Sequence, residues 1–165
     1  MKRIILDTNI YGRIIERNEE NEIKELIEKR QDIVIYGFDI VRKELRNVSK
    51  TVRYEKKLIR LMLLGLYDKI VRFHTYPVTS AIKQLAEDYY KIYKELGGKE
   101  SEKEILNDFM IVACATLHEL DIVASEDNRT MLNEISLQSY RIANKLKEYK
   151  TPEFVGYEKF RRLFS

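Results

Sequence analysis

Between Asp108 and Asp127 the hydrophobic pattern of this chain changes period. Asp108 is set into a helical pattern, with Ile105, Ile111 and Val112 one turn away. That pattern gives way to a short continuous run, Asp121 to Ala124, which reads as a buried strand and leads into Ser125-Glu126-Asp127. The same design recurs at the start, where Ile4-Ile5-Leu6 runs straight into Asp7-Thr8-Asn9. A looser copy follows at Ile33-Val34-Ile35-Tyr36, then a helix carrying Glu44. Strands alternating with helices require crossover connections, and these build a parallel sheet covered by helices on both faces. In such folds ligands bind beyond the carboxyl ends of the strands.

Strands are expected at Met1 to Leu6, Asp32 to Tyr36, Ile70 to Phe73 and Asp121 to Ala124, with a short edge strand at Pro152 to Val155. Helices are expected to about Arg17, over Asn21 to Arg30, and around Ile40 to Leu45 with Asp39 as its cap. A longer helix is expected over about Lys50 to Leu66, apolar on more than one side through Leu58, Leu61, Met62 and Leu64. Such a helix is deeply buried or part of an interface. Ser80 to Leu96 is strongly periodic and stops at Gly97-Gly98. Ser101 with Glu104 matches a capping box that opens a helix to about Glu119. Asn128 to about Tyr149 reads as helical with a break near Ser136, and a last turn holds Phe160 and Leu163. A chain of 165 residues with no linker or repeat is expected to form a single domain over 1–165.

Four acids fall in matching places. Asp7 and Asp127 lie just past strand ends, where the ordinary role is to cap a helix, worth ~1 kcal/mol. Glu44 follows Val41 and Ile40 at same-face spacings, so it borders a buried stripe. Asp108 is the most informative. Asp is a poor residue inside a helix, and an unpaired buried charge is costly. No Lys or Arg occupies the four positions on either side of it. That leaves a metal ion or a distant arginine as its partner. Two carboxylates ~5 Å apart repel by about 3 kcal/mol at an effective dielectric near 20, so several in one pocket call for protonation or a cation. Oxygen-only ligation suits Mg²⁺ or Mn²⁺, which activate water and clamp phosphodiester oxygens.

Other chemistries find no support. His74 and His118 are far apart, with no Cys or His at zinc-ligand spacing, and read as surface or satisfied core residues. There is no glycine-rich phosphate loop, and Ser125 lacks the glycines of a nucleophile elbow. The single cysteine, Cys114, cannot form an internal disulfide and reads as a small buried hydrophobe, which fits a cytoplasmic protein. No apolar run approaches the ~20 residues of a membrane span, and Asp7 interrupts the first run too early for a secretory leader. The net charge of +3, with Lys and Arg spread along the chain and no basic tail, permits a nucleic-acid partner without arguing for one.

At these residues the chain resembles the PIN-domain family. The resemblance rests on Ile-Leu-Asp7-Thr8-Asn9, on Glu44 in Val-Arg-Lys-Glu-Leu, on Asn107-Asp108 before Ile-Val-Ala-Cys-Ala, and on Ile-Val-Ala-Ser125-Glu-Asp127. It spans the first strand to about Met131, with no signature between about residues 50 and 100. It implies a three-layer α/β/α nuclease fold around a mostly parallel sheet. It also implies Mg²⁺ or Mn²⁺ held by Asp7, Glu44, Asp108 and Asp127, with Asn9 and Ser125 in support. RNA is the implied substrate, a VapC-like toxin paired with an antitoxin is one implied role, and a homodimer is the implied assembly. One departure is visible: where relatives continue past the last acid with another acid and an aromatic, this chain has Asn128-Arg129-Thr130-Met131. Two other classes stay open. One is a PIN-like module that binds RNA or protein without cutting. The other is a phosphotransfer enzyme with Asp7 as nucleophile, although Asn9 stands where such enzymes commonly place a second acid.

Overall fold

The computed structural model describes residues 1–49, 51–54 and 57–165. Its centre is β1 (Lys2–Leu6), whose last three residues are fully buried. β1 pairs in parallel with β2 (Ile33–Phe38) on one side and with β6 (Ile122–Ala124) on the other. β5 (Thr75–Tyr76) and β7 (Glu153–Val155) add the edges, giving the order β5-β2-β1-β6-β7 with every pair parallel. The chain winds outward from β1 through β2 to β5, then returns to the other side for β6 and β7. The topological switch therefore falls between β1 and β6, the place where such sheets open a crevice. Helices flank both faces, so the fold is an α/β/α sandwich.

Each helix is bounded by local chemistry. α1 (Thr8–Glu16) starts at Asp7, whose carboxylate accepts from Thr8 N. α2 (Glu20–Lys29) and α3 (Asp39–Arg46) flank β2. α5 (Ser80–Glu95) is capped by Thr79, whose hydroxyl accepts from Ile82 N, and ends before Gly97 at φ +93°. A left-handed residue there suits glycine. α6 (Glu102–Leu117) carries Asp108, and from Phe109 to Thr116 it is buried all round. Cys114 lies within that stretch, fully buried. α7 (Glu134–Leu146) is capped by Asn133, and α8 (Tyr157–Arg162) closes the chain. Among the described residues no helix is long and apolar enough to cross a membrane.

Several expectations are corrected. The helix placed over Lys50 to Leu66 is α4 at Ile59–Val71. Ahead of it a short antiparallel ladder pairs β3 (Arg53–Tyr54) with β4 (Lys57–Leu58). Lys50, Glu55 and Lys56 lie outside the described residues. The run Ile70 to Phe73, expected as a strand, is the end of α4 through Val71 followed by a turn at Arg72 and Phe73. Leu63, Leu66, Tyr67, Ile70 and Val71 are buried at spacings of three, one, three and one, a helical stripe that a short window mistakes for a strand. Arg72 at φ +58° ends the helix, and the strand begins only at Thr75. Asp39 is the first residue of α3 rather than its cap. Ser101 makes no side-chain capping bond, so the capping box is not formed. No helix occupies residues 128 to 133, and Ser136 lies inside α7 with its hydroxyl on Thr130 O instead of at a break. The two histidines are packing residues: His118 stacks on Tyr76 with ring centroids 3.6 Å apart, and His74 packs beside Tyr36.

Gly37, just past the strand expected over Asp32 to Tyr36, lies within β2 where α4 crosses. A Cβ there would lie 2.1 Å from Tyr67 Oη and 2.6 Å from Val71 Cγ1. Val71 is fully buried and cannot swing aside. Gly37→Ala is therefore expected to destabilise the protein by about 1–3 kcal/mol through overpacking. Urea unfolding of the variant checks this; unchanged stability would mean that α4 is not seated on β2 as described.

Candidate functional site

The register of β1 and β6 creates the site. Leu6 is opposite Ala124, and Asp7 N donates to Ala124 O at 2.9 Å, so the two chain segments leave the sheet side by side. Asp7 is 3% exposed. Its Oδ1 accepts from Thr8 N at 2.8 Å, and its Oδ2 accepts from Ser125 Oγ at 2.7 Å and from Asn9 Nδ2 at 3.0 Å. Asn9 ties the two segments again, because its Oδ1 accepts from Glu126 N at 3.0 Å. Glu126 itself points away, towards Tyr157 N.

The other three acids join through neutral donors. Glu44, half-buried on α3, accepts from Thr8 Oγ1 at 2.8 Å. Asp127 N donates to Ser125 Oγ at 3.0 Å, and Asp127 Oδ1 accepts from Arg129 N and Thr130 N. Thr130 Oγ1 lies 2.5 Å from Asp127 Oδ2 and also bonds Asp108 Oδ2. An unbroken path of hydrogen bonds and adjacent residues thus runs from Glu44 through Thr8, Asp7, Ser125, Asp127 and Thr130 to Asp108. All four acids and both supporting residues singled out in the sequence are brought together. Thr130 and Thr8 are the members that sequence reasoning passed over. For Thr130 there was a signal: a hydroxyl three residues after an acid at a turn meets that acid's carboxylate.

The electrostatics are one-sided. Among the described residues no Lys, Arg or His forms an ion pair with any of the four acids. Burial raises the pKa of Asp7 against the hydrogen bonds it accepts, and the charge of Asp127 adds to the rise. Burial also raises Glu44, with further contributions from Asp7 and Asp127. Asp108 is pushed up to about 8, by burial first and then by the charges of Asp7, Asp127 and Glu44, with the Thr130 bond working the other way. One threonine hydroxyl has one proton to give. Its two carboxylate contacts are satisfied together when Asp108 carries its own proton and donates to Thr130, which donates to Asp127.

The donor set is all oxygen, which fits a hard divalent ion. In this conformation, however, no three His, Cys, Asp or Glu side chains among the described residues are arranged to hold a metal. The hydrogen bonds account for that. Each carboxylate is turned onto its own hydroxyl or amide donors, as mutually repelling charges will be.

The PIN domain family matches residues 4–136, a span that includes all four acids. The chain belongs to this family. Solved PIN-like folds similar to it include a chain of VapBC2 from Rickettsia felis bound to a DNA fragment from their promoter. That chain gives a TM-score of 0.59 at 15% identity, with 93% of this chain and 98% of that chain covered. A chain of DNA-bound VapBC from Salmonella typhimurium gives 0.59 at 16%, covering 95% and 99%. One of FitAcB from Neisseria gonorrhoeae gives 0.57 at 16%, covering 92% and 96%. At these identities the likeness concerns the PIN fold alone. Comparison with curated protein sequences gives no match.

The raised Asp108 has a consequence for stability. Its ordinary pKa is 3.8, so between about pH 4 and pH 8 the folded protein holds a proton that the unfolded chain has lost. Stability from this group is complete below its unfolded pKa and falls as pH rises, by up to about 1.4 kcal/mol per pH unit, until it levels above its folded pKa. Asp7 and Glu44 push in the same direction. Urea unfolding in EDTA between about pH 5 and pH 8 is expected to show this decline, and Asp108→Asn to flatten it. Parallel profiles for the two proteins would place Asp108 in an unperturbed setting.

Proposed function

We propose that this PIN domain is a metal-dependent endoribonuclease, with the whole 1–165 chain acting as one nuclease domain. The observation that carries the reading is the set of four carboxylates from four segments of the chain, linked by neutral donors and, among the described residues, paired with no cation. Asp7, Glu44, Asp108 and Asp127 hold Mg²⁺ or Mn²⁺, and membership of the PIN family supports that choice. The ion supplies an activated water and a clamp on phosphodiester oxygens.

The chain's own residues do the positioning. Ser125 and Asn9 fix Oδ2 of Asp7, and Thr8 N fixes its Oδ1, leaving Asp7 little freedom to turn. Thr8 aims Glu44. Thr130 holds Asp108 and Asp127 to one hydroxyl, and Asp108 would have to be ionised to serve as a ligand for a divalent ion. With charge on the acids and no aspartate free of neighbours, a water nucleophile is favoured over covalent attack by Asp7.

We infer further that the protein works in the cytoplasm as the toxin of a toxin–antitoxin pair, since its structural neighbours come from VapBC and FitAcB assemblies. Its partners are then RNA, an antitoxin and a second copy of itself. Leu61 on α4 is 61% exposed, the kind of apolar surface that self-association covers. A PIN-like module that binds without cutting is the second reading, favoured by the acids' arrangement in this conformation, in which no three His, Cys, Asp or Glu side chains among the described residues are set to hold a metal.

The test is labelled single-stranded RNA incubated with Mn²⁺, with EDTA, and with the Asp7→Asn and Asp108→Asn variants. Asn keeps the shape and removes the charge. Cleavage is expected to fall by at least about two orders of magnitude in each variant and to vanish in EDTA, because a metal contributes several kcal/mol to the transition state. Equal cleavage in every arm would assign the activity to something else. Tight RNA binding without cleavage would select the second reading.

A further inference from the structure

Charge is unevenly placed along this chain. Residues 42–60 hold eight of its thirty Lys and Arg and only two of its twenty-seven Asp and Glu. That segment is net +6 in a chain of net +3, so everything else together is net −3. The absence of a basic tail conceals this concentration, because it is internal and interrupted by Val48, Val52, Leu58 and Ile59.

The described residues of this segment are joined to one another. The segment comprises the last turn of α3, the β3–β4 ladder and the first turn of α4. Arg53 is opposite Leu58 and Tyr54 opposite Lys57, and Ile59 N donates to Val52 O at 3.0 Å to close the base of the ladder. Arg60 reaches back and donates to Arg46 O at 3.4 Å, which ties the start of α4 to the end of α3. Arg46 is two residues past Glu44, an axial rise of about 3 Å. The two side chains leave different faces of α3, and the positive segment starts on the helix that carries Glu44.

Four of its charges stand outside the ion pairs of the described residues. Arg42 pairs with Asp68 at 3.1 Å. Lys43, Arg46, Lys57 and Arg60 form no ion pair among the described residues. Lys43, Arg46 and Lys57 are exposed, and Arg60 is half-buried. Like charges along one short segment repel one another, and a polyanion lying along them is the complementary occupant. The pocket beside them has the opposite problem. Four acids repel a phosphate chain, so a phosphodiester backbone entering the pocket needs compensating charge directly outside it.

Resting on the nuclease reading above, we propose that the end of α3, the β3–β4 ladder and Arg60 form an arm that holds the backbone of single-stranded RNA next to Glu44. The contacts are to phosphates, so the arm fixes where the strand lies and is indifferent to base sequence. Lys43, Arg46, Lys57 and Arg60 are positioning residues.

The experiment uses the full chain and a fluorescein-labelled mixed-sequence oligoribonucleotide. Binding is read in EDTA across a salt series, and cleavage is read in Mn²⁺. Each of Lys43→Gln and Lys57→Gln, both on exposed side chains, is expected to weaken binding about fivefold at ~0.1 M salt. The combined variant at Lys43, Arg46, Lys57 and Arg60 is expected to lower the slope of log affinity against log salt by roughly 3. In cleavage, KM rises while kcat is kept. A control removing the same charge at Lys83, Lys91, Lys145 and Lys150, all exposed elsewhere, is expected to leave the slope near wild type. Wild-type slope in the combined variant, or an equal drop in the control, overturns the arm. So does displacement of the RNA by polyglutamate at a lower charge concentration than by unlabelled RNA, which would give the surface to an acidic protein partner. A wild type that cuts nothing yet loses its salt slope in the combined variant keeps the arm and discards the nuclease.

Discussion

The parallel pairing of β1 with β6 is the constraint on which the rest of the site depends. Leu6 opposite Ala124 brings Asp7 and Ser125 out of the sheet together, 2.7 Å apart at Oδ2 and Oγ. A slip of one residue would turn every side chain of one strand to the other face. It would bury the wrong side of Ile4-Ile5-Leu6 and break the Asp7–Ser125 bond in the same movement. The apolar core thus enforces the register, and the register enforces the polar geometry. Because β1 is central, with β2 on its other side, neither neighbour can shift without disturbing the other.

The donors around the acids are all neutral: three hydroxyls, one amide side chain and backbone N–H groups. They orient the carboxylates without cancelling charge. An arginine in the place of Thr8 or Thr130 would quiet the repulsion and lower the pKa of Asp108, but it would also fill the pocket's need for a cation. The arrangement keeps a destabilising concentration of acid on a scaffold whose core is mostly apolar. α6 is what makes this tolerable. Phe109 packs edge-on against Tyr89 and Tyr140, while Tyr89 donates to Asn144 at 2.7 Å and sits 3.1 Å from Thr116. Asp108 is therefore carried by a helix that both α5 and α7 hold in place.

Much of this could be read from the sequence because the informative residues sit where the period changes. Asp7 and Asp127 follow apolar runs too short to be helices, and Asp108 interrupts a helical stripe with no cation near it. Those are local signals, and they point to the ends of β1 and β6 and to acids that the fold joins in one hydrogen-bonded path. The errors arose where local signals compete. Ile70 and Val71 look like a strand in isolation and become a helix only when Leu63, Leu66 and Tyr67 are counted with them. Ser101 and Glu104 have capping-box spacing, yet the bond is not made, since spacing permits a contact without requiring it. The spacing of Thr130 from Asp127 was a local signal, but its bond to Asp108, twenty-two positions earlier, forms only across the fold. The charge of residues 42–60 was present in the sequence but diluted by a whole-chain total of +3.

The two ends of the sheet are short. β5 contributes two residues and β7 three. An exposed strand edge invites another chain to extend the sheet, and brevity is one of the ways proteins prevent it. Here neither edge offers enough free backbone to template a sixth strand. A second copy or a peptide partner must then be received by helix surfaces and side chains rather than by main-chain pairing. Growth of the sheet into a fibre is blocked by the same economy of length.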